Sequence, residues 1–321
     1  MKPEQGLASR LQYLILRNCE CLMKLPQVLH SLSFLRGLSI EDCPKLVSIP
    51  DSALPSELIF IAINKCNALQ SLPKSWMQSS NTSLEELSIE YCDSLTDIAG
   101  IMQSPNLKKF TLKFCPGLAS FPEDGFPTNL TSLDVGGVNI CKAFFEWGLH
   151  RLASLKVLAT NGGCPDMISF PMLPTSLITL RIDDFWNLER LSPDFQDLSS
   201  LKELHLISCP NLKFFPEKGL PSSLQTLSIN KCPLLKQSCK KDKGLYWPMI
   251  ALLPLVFIDV GVRQAVFNID QEMRDLSVQR YWFEGVLEVK EVRVGSFFGG
   301  LVAVECFIFN YITTPTIEHP L

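Results

Sequence analysis

The chain has 321 residues, of which 46% are hydrophobic and 19% charged, and its formal net charge is −4. This composition excludes wholesale disorder, which requires low hydrophobicity and high net charge. The balance of 29 Lys+Arg against 33 Asp+Glu argues against a nucleic-acid partner, because such proteins carry an excess of positive charge. The N-terminal residues lack the apolar segment of a secretory signal, so we expect a cytoplasmic protein in a reducing compartment.

The segment Leu11–Cys19 begins a repeat that runs through most of the chain. It recurs as Leu35–Cys43, and both copies place leucine or isoleucine at the first, fourth and sixth positions and cysteine at the ninth. Further copies start at Leu58, Leu84, Leu107, Leu201 and Leu224, and weaker ones at Leu130, Leu155 and Leu177. The mean spacing of about 24 residues and the pattern L-x-x-L-x-L-x-x-N/C-x-L indicate about ten leucine-rich repeats.

The spacing within each repeat predicts its local structure. Apolar residues two positions apart lie on one face of a short strand. One repeat cannot bury its own leucines, so neighbouring repeats stack, pair their strands in parallel and share one core. Prolines recur on the return path, as at Pro26, Pro122 and Pro216, where a fixed φ and a missing N–H suit irregular backbone. We therefore predict an α/β solenoid, a leucine-rich-repeat horseshoe with short parallel inner strands and a mostly irregular or 3₁₀ convex side.

The repeat divides the chain into four parts. We expect a truncated lead-in at 1–10, the repeats at 11–240, a terminal repeat that caps the solenoid at 241–260 and an atypical tail at 261–321. Because so few residues precede the first strand, we expect a first repeat that has no cap and leaves an open sheet edge.

The tail carries two patterns of its own. Val286–Val294 partly alternates between apolar and polar residues, as an exposed strand does. Phe297–Ile312 is apolar but is interrupted by Glu305 and Asn310, and it is shorter than the roughly 20 residues of a membrane helix. We therefore expect no membrane span, and interpret the tail as a C-terminal appendage or a mis-joined exon.

The cysteines follow the repeat. Seven of the twelve occupy the ladder position just after a strand: Cys19, Cys43, Cys66, Cys92, Cys115, Cys209 and Cys232. Cys164 is displaced from this position by one residue in a Gly162-Gly163 variant. A zinc site needs paired C-x2-C clusters, which the chain lacks, and disulfide frameworks belong to small secreted domains. We therefore predict buried free thiols that hydrogen-bond the backbone, with no metal and no cofactor.

Several segments resemble one family of repeat proteins. Residues Leu118–Leu130 (LASFPEDGFPTNL) resemble the C-terminal repeats of plant intracellular immune receptors, specifically the coiled-coil nucleotide-binding leucine-rich-repeat (NLR) disease-resistance proteins. Glu146–Leu149 and Phe214–Pro221 fit the same resemblance, and Tyr246–Ile250 (YWPMI) resembles the terminal segment of those receptors. The resemblance covers roughly residues 7–259.

This resemblance implies a role in plant defence. It implies recognition of a pathogen effector or a guarded host protein, and autoinhibitory contacts with a nucleotide-binding module in cis or in trans. Such receptors carry a P-loop, G-x-x-x-x-G-K-[ST], that cradles the nucleotide phosphates, and no such motif occurs in this chain. We therefore expect the nucleotide-binding switch to be absent.

Strand residues between the leucines face the concave side of the predicted solenoid, where repeat proteins commonly bind partners. We predict a protein-binding strip formed by Glu86, Glu90, Lys109, Lys113, Arg181, Asp183, Glu203 and His205. The alternative is that Glu86–Lys109 and Glu90–Lys113 are cross-strand pairs that stabilise the sheet by a few tenths of a kcal/mol, roughly what exposed ion pairs contribute.

The sequence shows no catalytic constellation, since its four histidines accompany no nucleophile motif such as G-x-S-x-G. We therefore expect no enzyme, but a protein-interaction domain of an intracellular plant immune receptor. Two alternatives stay open. One is a stand-alone repeat adaptor, such as a ubiquitin-ligase substrate receptor, and the other is a non-functional receptor gene fragment.

Overall fold

The computed structural model describes most of the repeat region and one strand of the tail. The described residues are 11–25, 29, 31–49, 55, 57–73, 83–98, 105–118, 121, 126–162, 164–259 and, for the backbone alone, 286–290. The strands are β1 (Tyr13–Arg17), β2 (Gly37–Glu41), β3 (Phe60–Asn64), β4 (Glu86–Glu90), β5 (Lys109–Lys113), β6 (Ser132–Gly136), β7 (Val157–Asn161), β8 (Thr179–Asp183), β9 (Glu203–Ile207), β10 (Thr226–Asn230), β11 (Leu255–Ile258) and β12 (Val286–Lys290).

The chain forms two compact units. The first contains β1 to β4 and β12, and the second contains β5 to β11. In the first unit the strands pair in parallel in the order β12-β1-β2-β3-β4. In the second unit β5 to β11 also pair in parallel, each with the next strand along the chain. Each strand from β1 to β10 starts two residues after one of the predicted leucines.

The register keeps equivalent repeat positions side by side. Leu14 pairs with Leu38, Leu38 with Ile61 and Ile61 with Leu87. These side chains, at the second position of their strands, are at most 2% exposed. The second and fourth positions thus form the core of each unit, while the first, third and fifth positions form the opposite side of the sheet, which we call the polar face. The predicted leucine-rich-repeat solenoid with parallel inner strands is confirmed.

The chain leaves most strands through a residue in the left-handed conformation. Non-glycine residues with φ between 50° and 64° follow eight strands: Asn18, Asp42, Lys65, Tyr91, Phe114, Asp184, Ser208 and Lys231. Gly137 and Gly162 hold the equivalent place after β6 and β7. The conformation aims the backbone N–H at the last carbonyl of the following strand, as from Asn18 to Glu41 (2.9 Å). This hydrogen bond offsets the roughly 1–2 kcal/mol that a left-handed L-residue costs.

Where the structure describes the return paths, they are mostly irregular, as predicted, with 3₁₀ turns at Leu149–Arg151 and Pro193–Asp197. One return path differs, because the ten-residue helix α1 (Val138–Trp147) follows β6. The sequence VNICKAFFEW contains no proline, and it buries Ile140, Cys141 and Phe144 on one face. Two shorter helices near the end of the second unit are α2 (Pro233–Ser238) and α3 (Trp247–Ile250).

The expectation of an open edge at the first repeat is wrong. The tail strand β12 pairs in parallel with β1, so that Tyr13 lies opposite Val286 and Arg17 opposite Lys290. The apolar stretch with Glu305 and Asn310 lies outside the described residues. In the part of the chain that the structure describes, no helix has the length and apolar character needed to span a membrane.

Candidate protein-interaction surface

The seven ladder cysteines are buried and free, as predicted: Cys19, Cys43, Cys66, Cys92, Cys115, Cys209 and Cys232. The displaced Cys164 is also buried and free. Their thiols contact strand carbonyls, as in the approach of Cys66 Sγ to Asn64 O (3.6 Å) and Ile40 O (3.9 Å). A hydrogen bond with Cys92, together with burial, raises the pKa of the Cys115 thiol. The ladder thiols therefore stabilise the strand ends, and Cys115, whose pKa is raised, is a poor nucleophile.

The sequence missed one further member of this ladder. Cys141, on α1, points its Sγ at Val135 O (3.9 Å) and Asn161 O (3.7 Å), which are the strand carbonyls that a ladder cysteine after β7 would contact. Cys164 itself is displaced and contacts Val138 O (3.8 Å). Burial raises the pKa of Cys141 to about 12. Helix α1 thus supplies the thiol for the ladder position after β7, which the displaced Cys164 does not fill. Among the described side chains, no group of three or more His, Cys, Asp or Glu is arranged to hold a metal ion.

The predicted strip residues all lie on the polar face, distributed over the two units. In the first unit, Glu86 and Glu90 are half-buried on β4, and Ser88 Oγ donates a hydrogen bond to Glu90 Oε1 (3.3 Å). The sequence did not indicate a second charged pair on this face, where Arg17 Nε binds Glu41 Oε2 at 2.7 Å. Because Glu86 and Glu90 belong to the first unit and Lys109 and Lys113 to the second, the predicted pairs between them stay a prediction.

Within the second unit, Lys113 has a partner that the sequence did not indicate. Its Nζ lies 2.5 Å from Asp134 Oδ2 on β6, and the two side chains are 17% and 9% exposed. Charges this well buried need each other, since removing one partner of a buried pair leaves the other desolvated and uncompensated. Asp134 lies in one of the weaker repeat copies, where the strand register was the only available signal. Lys113 is therefore part of the fold of the sheet as well as of its surface.

Four predicted residues come together on β8 and β9. Arg181 Nη2 lies 2.9 Å from Asp183 Oδ2, and His205 Nε2 lies 3.7 Å from Glu203 Oε2. Arg181 lies opposite His205 in the register of the two strands. Thr179 Oγ1 donates a hydrogen bond to Glu203 Oε2 (3.3 Å) and fixes that carboxylate. We call Arg181, Asp183, Glu203 and His205 the β8–β9 cluster.

His205 is the unusual member of the cluster. Its side chain is 9% exposed, and its Nε2 is buried without a hydrogen-bond partner among the described residues, since Glu203 is too distant. Burial lowers the pKa of His205; Glu203 acts to raise it and Arg181 to lower it further, and the pKa remains below its ordinary value. The imidazole is therefore neutral near pH 7, and its buried Nε2 keeps an unused capacity for one hydrogen bond.

The polar face of the second unit is tightly packed around this cluster. Its buried polar residues are Ser132, Asp134, Thr179, Asp183, His205, Ser228 and Asn230. Thr160 is also buried, at a core position of β7. Sequence reasoning missed most of them because serine, threonine and asparagine carry no charge that would single them out. The β8–β9 cluster is thus held by packed neighbours, an arrangement that fixes side chains before a partner arrives.

No protein-family model matches the chain. Over 118 residues it is 33% identical to a protein of Arabidopsis thaliana named “Putative disease resistance protein”, and the match covers 36% of this chain and 8% of that protein. The chain therefore spans only a small part of the length of this relative.

Two solved structures of leucine-rich-repeat proteins are also similar. The repeat domain of the type III effector XopL is 20% identical, with 77% of this chain and 75% of that chain covered and a TM-score of 0.35. The circular repeat protein CroV588 is 18% identical, with 69% and 40% covered and a TM-score of 0.36. Similarities this low bear neither on the function nor on the partners of the chain.

Proposed function

We propose that this chain is the protein-binding repeat region of a coiled-coil NLR immune receptor of plants. In this role it recognises a pathogen effector or a guarded host protein in the cytoplasm, and it contacts a nucleotide-binding module in cis or in trans. The repeat fold, the 33% identity over 118 residues to the Arabidopsis protein and the resemblance of Leu118–Leu130 and Tyr246–Ile250 to NLR segments support the proposal.

The observation that carries the binding role is the buried Nε2 of His205 in the β8–β9 cluster, which has no hydrogen-bond partner among the described residues. An unsatisfied buried polar atom costs about 1–3 kcal/mol, so its retention calls for a compensating role. Beside it, Glu203 keeps its side chain 45% exposed and can accept hydrogen bonds from a partner. A partner segment whose docking uncovers His205 Nε2 would gain the hydrogen bond that the isolated chain lacks.

Binding to a nucleotide-binding module of a coiled-coil NLR, co-expressed in leaf cells, tests the proposal. The variant Glu203→Gln/His205→Gln keeps the size of both side chains but removes the charge and the imidazole. We expect at least tenfold weaker binding, since removing polar groups from a buried contact commonly costs that much. The matched control is Lys156→Gln/Lys202→Gln, at two exposed positions just before strands of the same unit. Equal binding of both variants would contradict the role of the cluster.

One observation favours a second candidate, a stand-alone repeat adaptor. The pairing of β12 with β1 occupies the edge onto which a preceding repeat would stack. An adaptor would bind its partner through the β8–β9 cluster without any nucleotide-binding module. In the experiment above, an absence of module binding by the wild-type chain would favour this candidate over the receptor region.

A further inference from the structure

The last described part of the second unit is a segment that we call the C-terminal knob, residues 231–259. It contains α2, a turn, α3 and β11. Backbone hydrogen bonds from Gly244 to Lys240 and from Tyr246 to Ser238, both 2.8 Å, close the turn. Cys239 and Ile250 are buried beneath it, and Tyr246 packs edge-on against Phe215 with ring centres 5.0 Å apart. The knob therefore presents its outer side chains from a fixed backbone.

Those outer side chains are strongly basic in a chain whose net charge is −4. Only two acidic residues, Asp242 and Asp259, lie in the knob, and Asp259 is paired with Lys236. The knob carries five exposed lysines and no arginine: Lys231, Lys236, Lys240, Lys241 and Lys243. Three of these lysines fall within four consecutive positions of the turn.

The same turn and helix expose leucines. Leu245 is 75% exposed and Leu252 is 85% exposed, one just before α3 and the other just after it. Trp247, at the start of α3, is half-buried. These two leucine side chains are not packed into the hydrophobic core, so moving them from water into an apolar environment is favourable.

We propose that the C-terminal knob binds the surface of membranes that contain anionic phospholipids. The lysines would lie against the phosphate and carboxylate headgroups, and Leu245 and Leu252 would enter the boundary between headgroups and acyl chains. This is peripheral binding, and it does not depend on the protein-binding function proposed above.

The composition of the knob favours a membrane surface over a protein or a nucleic acid as its binding partner. Protein interfaces are depleted in lysine and enriched in arginine and aromatic residues, and their anchors fill pockets in a partner. Nucleic acids attract lysine but offer no apolar layer for protruding leucines. A lipid surface requires no shape complementarity and accommodates both features.

The test is co-sedimentation of the full chain with large vesicles of phosphatidylcholine alone or with about 30 mol% phosphatidylserine, a strongly anionic surface. We expect binding only to the anionic vesicles. Each lysine near such a surface contributes about fivefold in partition coefficient, so neutralising three should weaken binding about a hundredfold. The neutralised variant is Lys240→Gln/Lys241→Gln/Lys243→Gln, and the control with the same change of charge is Lys156→Gln/Lys202→Gln/Lys218→Gln, all exposed in the same unit.

A second variant, Leu245→Ser/Leu252→Ser, tests the apolar contact. It should lose the binding that persists when the salt is raised to about 0.5 M, where lysine–headgroup attraction is screened. The unfolding temperatures of all three variants should match the wild type, because the substituted side chains are exposed. Equal binding to both kinds of vesicle, equal loss in the lysine variant and its control, or an unaffected leucine variant would overturn the proposal. Tighter, leucine-independent binding to polyglutamate or duplex DNA would overturn it in favour of a protein or nucleic-acid partner.

Discussion

At the scale of single residues, the buried imidazole of His205 lowers the stability of the fold, and in the proposed function it contributes to binding. Its Nε2 has no hydrogen-bond partner in the described part of the chain. Replacing it with phenylalanine removes the unsatisfied atom and keeps a ring of similar size, so we expect His205→Phe to raise the free energy of unfolding by about 1 kcal/mol. Urea denaturation measures this change. His205→Gln, which keeps a buried polar group, should not stabilise the protein.

The same residue predicts a dependence on pH. Because the folded chain holds the pKa of His205 below its ordinary 6.5, the unfolded chain takes up the proton first as the pH falls through that value. Stability should therefore fall with pH in this window, and the advantage of His205→Phe over wild type should be larger at pH 5.5 than at pH 7.5. A constant difference between the two proteins would show that His205 titrates normally.

At the scale of elements, the carboxylate of Asp259 links the ends of β10 and β11, the last described strands of the second unit. In most other repeats, as at Asn18 and Ser208, the left-handed residue donates its N–H to the next strand, but Lys231 donates to Asp259 Oδ1 (2.9 Å). The hydrogen bond from Lys236, followed by that from the Lys231 N–H, lowers the pKa of Asp259. We expect Asp259→Ala to reduce the free energy of unfolding by about 1 kcal/mol at pH 7.

The control for this prediction is Asp259→Asn, whose amide oxygen can still accept the Lys231 N–H. It should lose less stability than the alanine variant. Since the pKa is lowered in the folded state, the contribution of Asp259 is present above its ordinary pKa of 3.8 and is lost as the pH falls through the lower, folded value. A deficit of the alanine variant that stays constant down to pH 2.5 would contradict the assigned role of the carboxylate.

The elements also show which features of the fold could be predicted from the sequence. Strand positions and the cysteine ladder were predictable because the repeat fixes which side chain lies in the core, and the polar face followed from the same register. The partner of Lys113 was not predictable, since Asp134 lies on the next strand and no local sequence pattern links the two residues. Helix α1 occurs in a weak repeat copy, where the repeat pattern predicted an irregular path. The lack of a hydrogen-bond partner for His205 Nε2 could not be predicted either, because it depends on burial by several strands at once.

At the scale of the whole molecule, the pairing of β12 with β1 joins segments about 270 residues apart in sequence, and no repeat motif predicts such a contact. An unpaired edge strand is a template for association with other chains.

We expect Leu287→Pro/Val289→Pro, which removes two N–H groups from β12, to speed hydrogen exchange of the Tyr13–Arg17 amides about tenfold and to promote concentration-dependent oligomers. Exchange mass spectrometry and light scattering measure the two effects. Unaltered exchange in β1 after substitution of β12 would show that the tail strand does not protect this edge in solution.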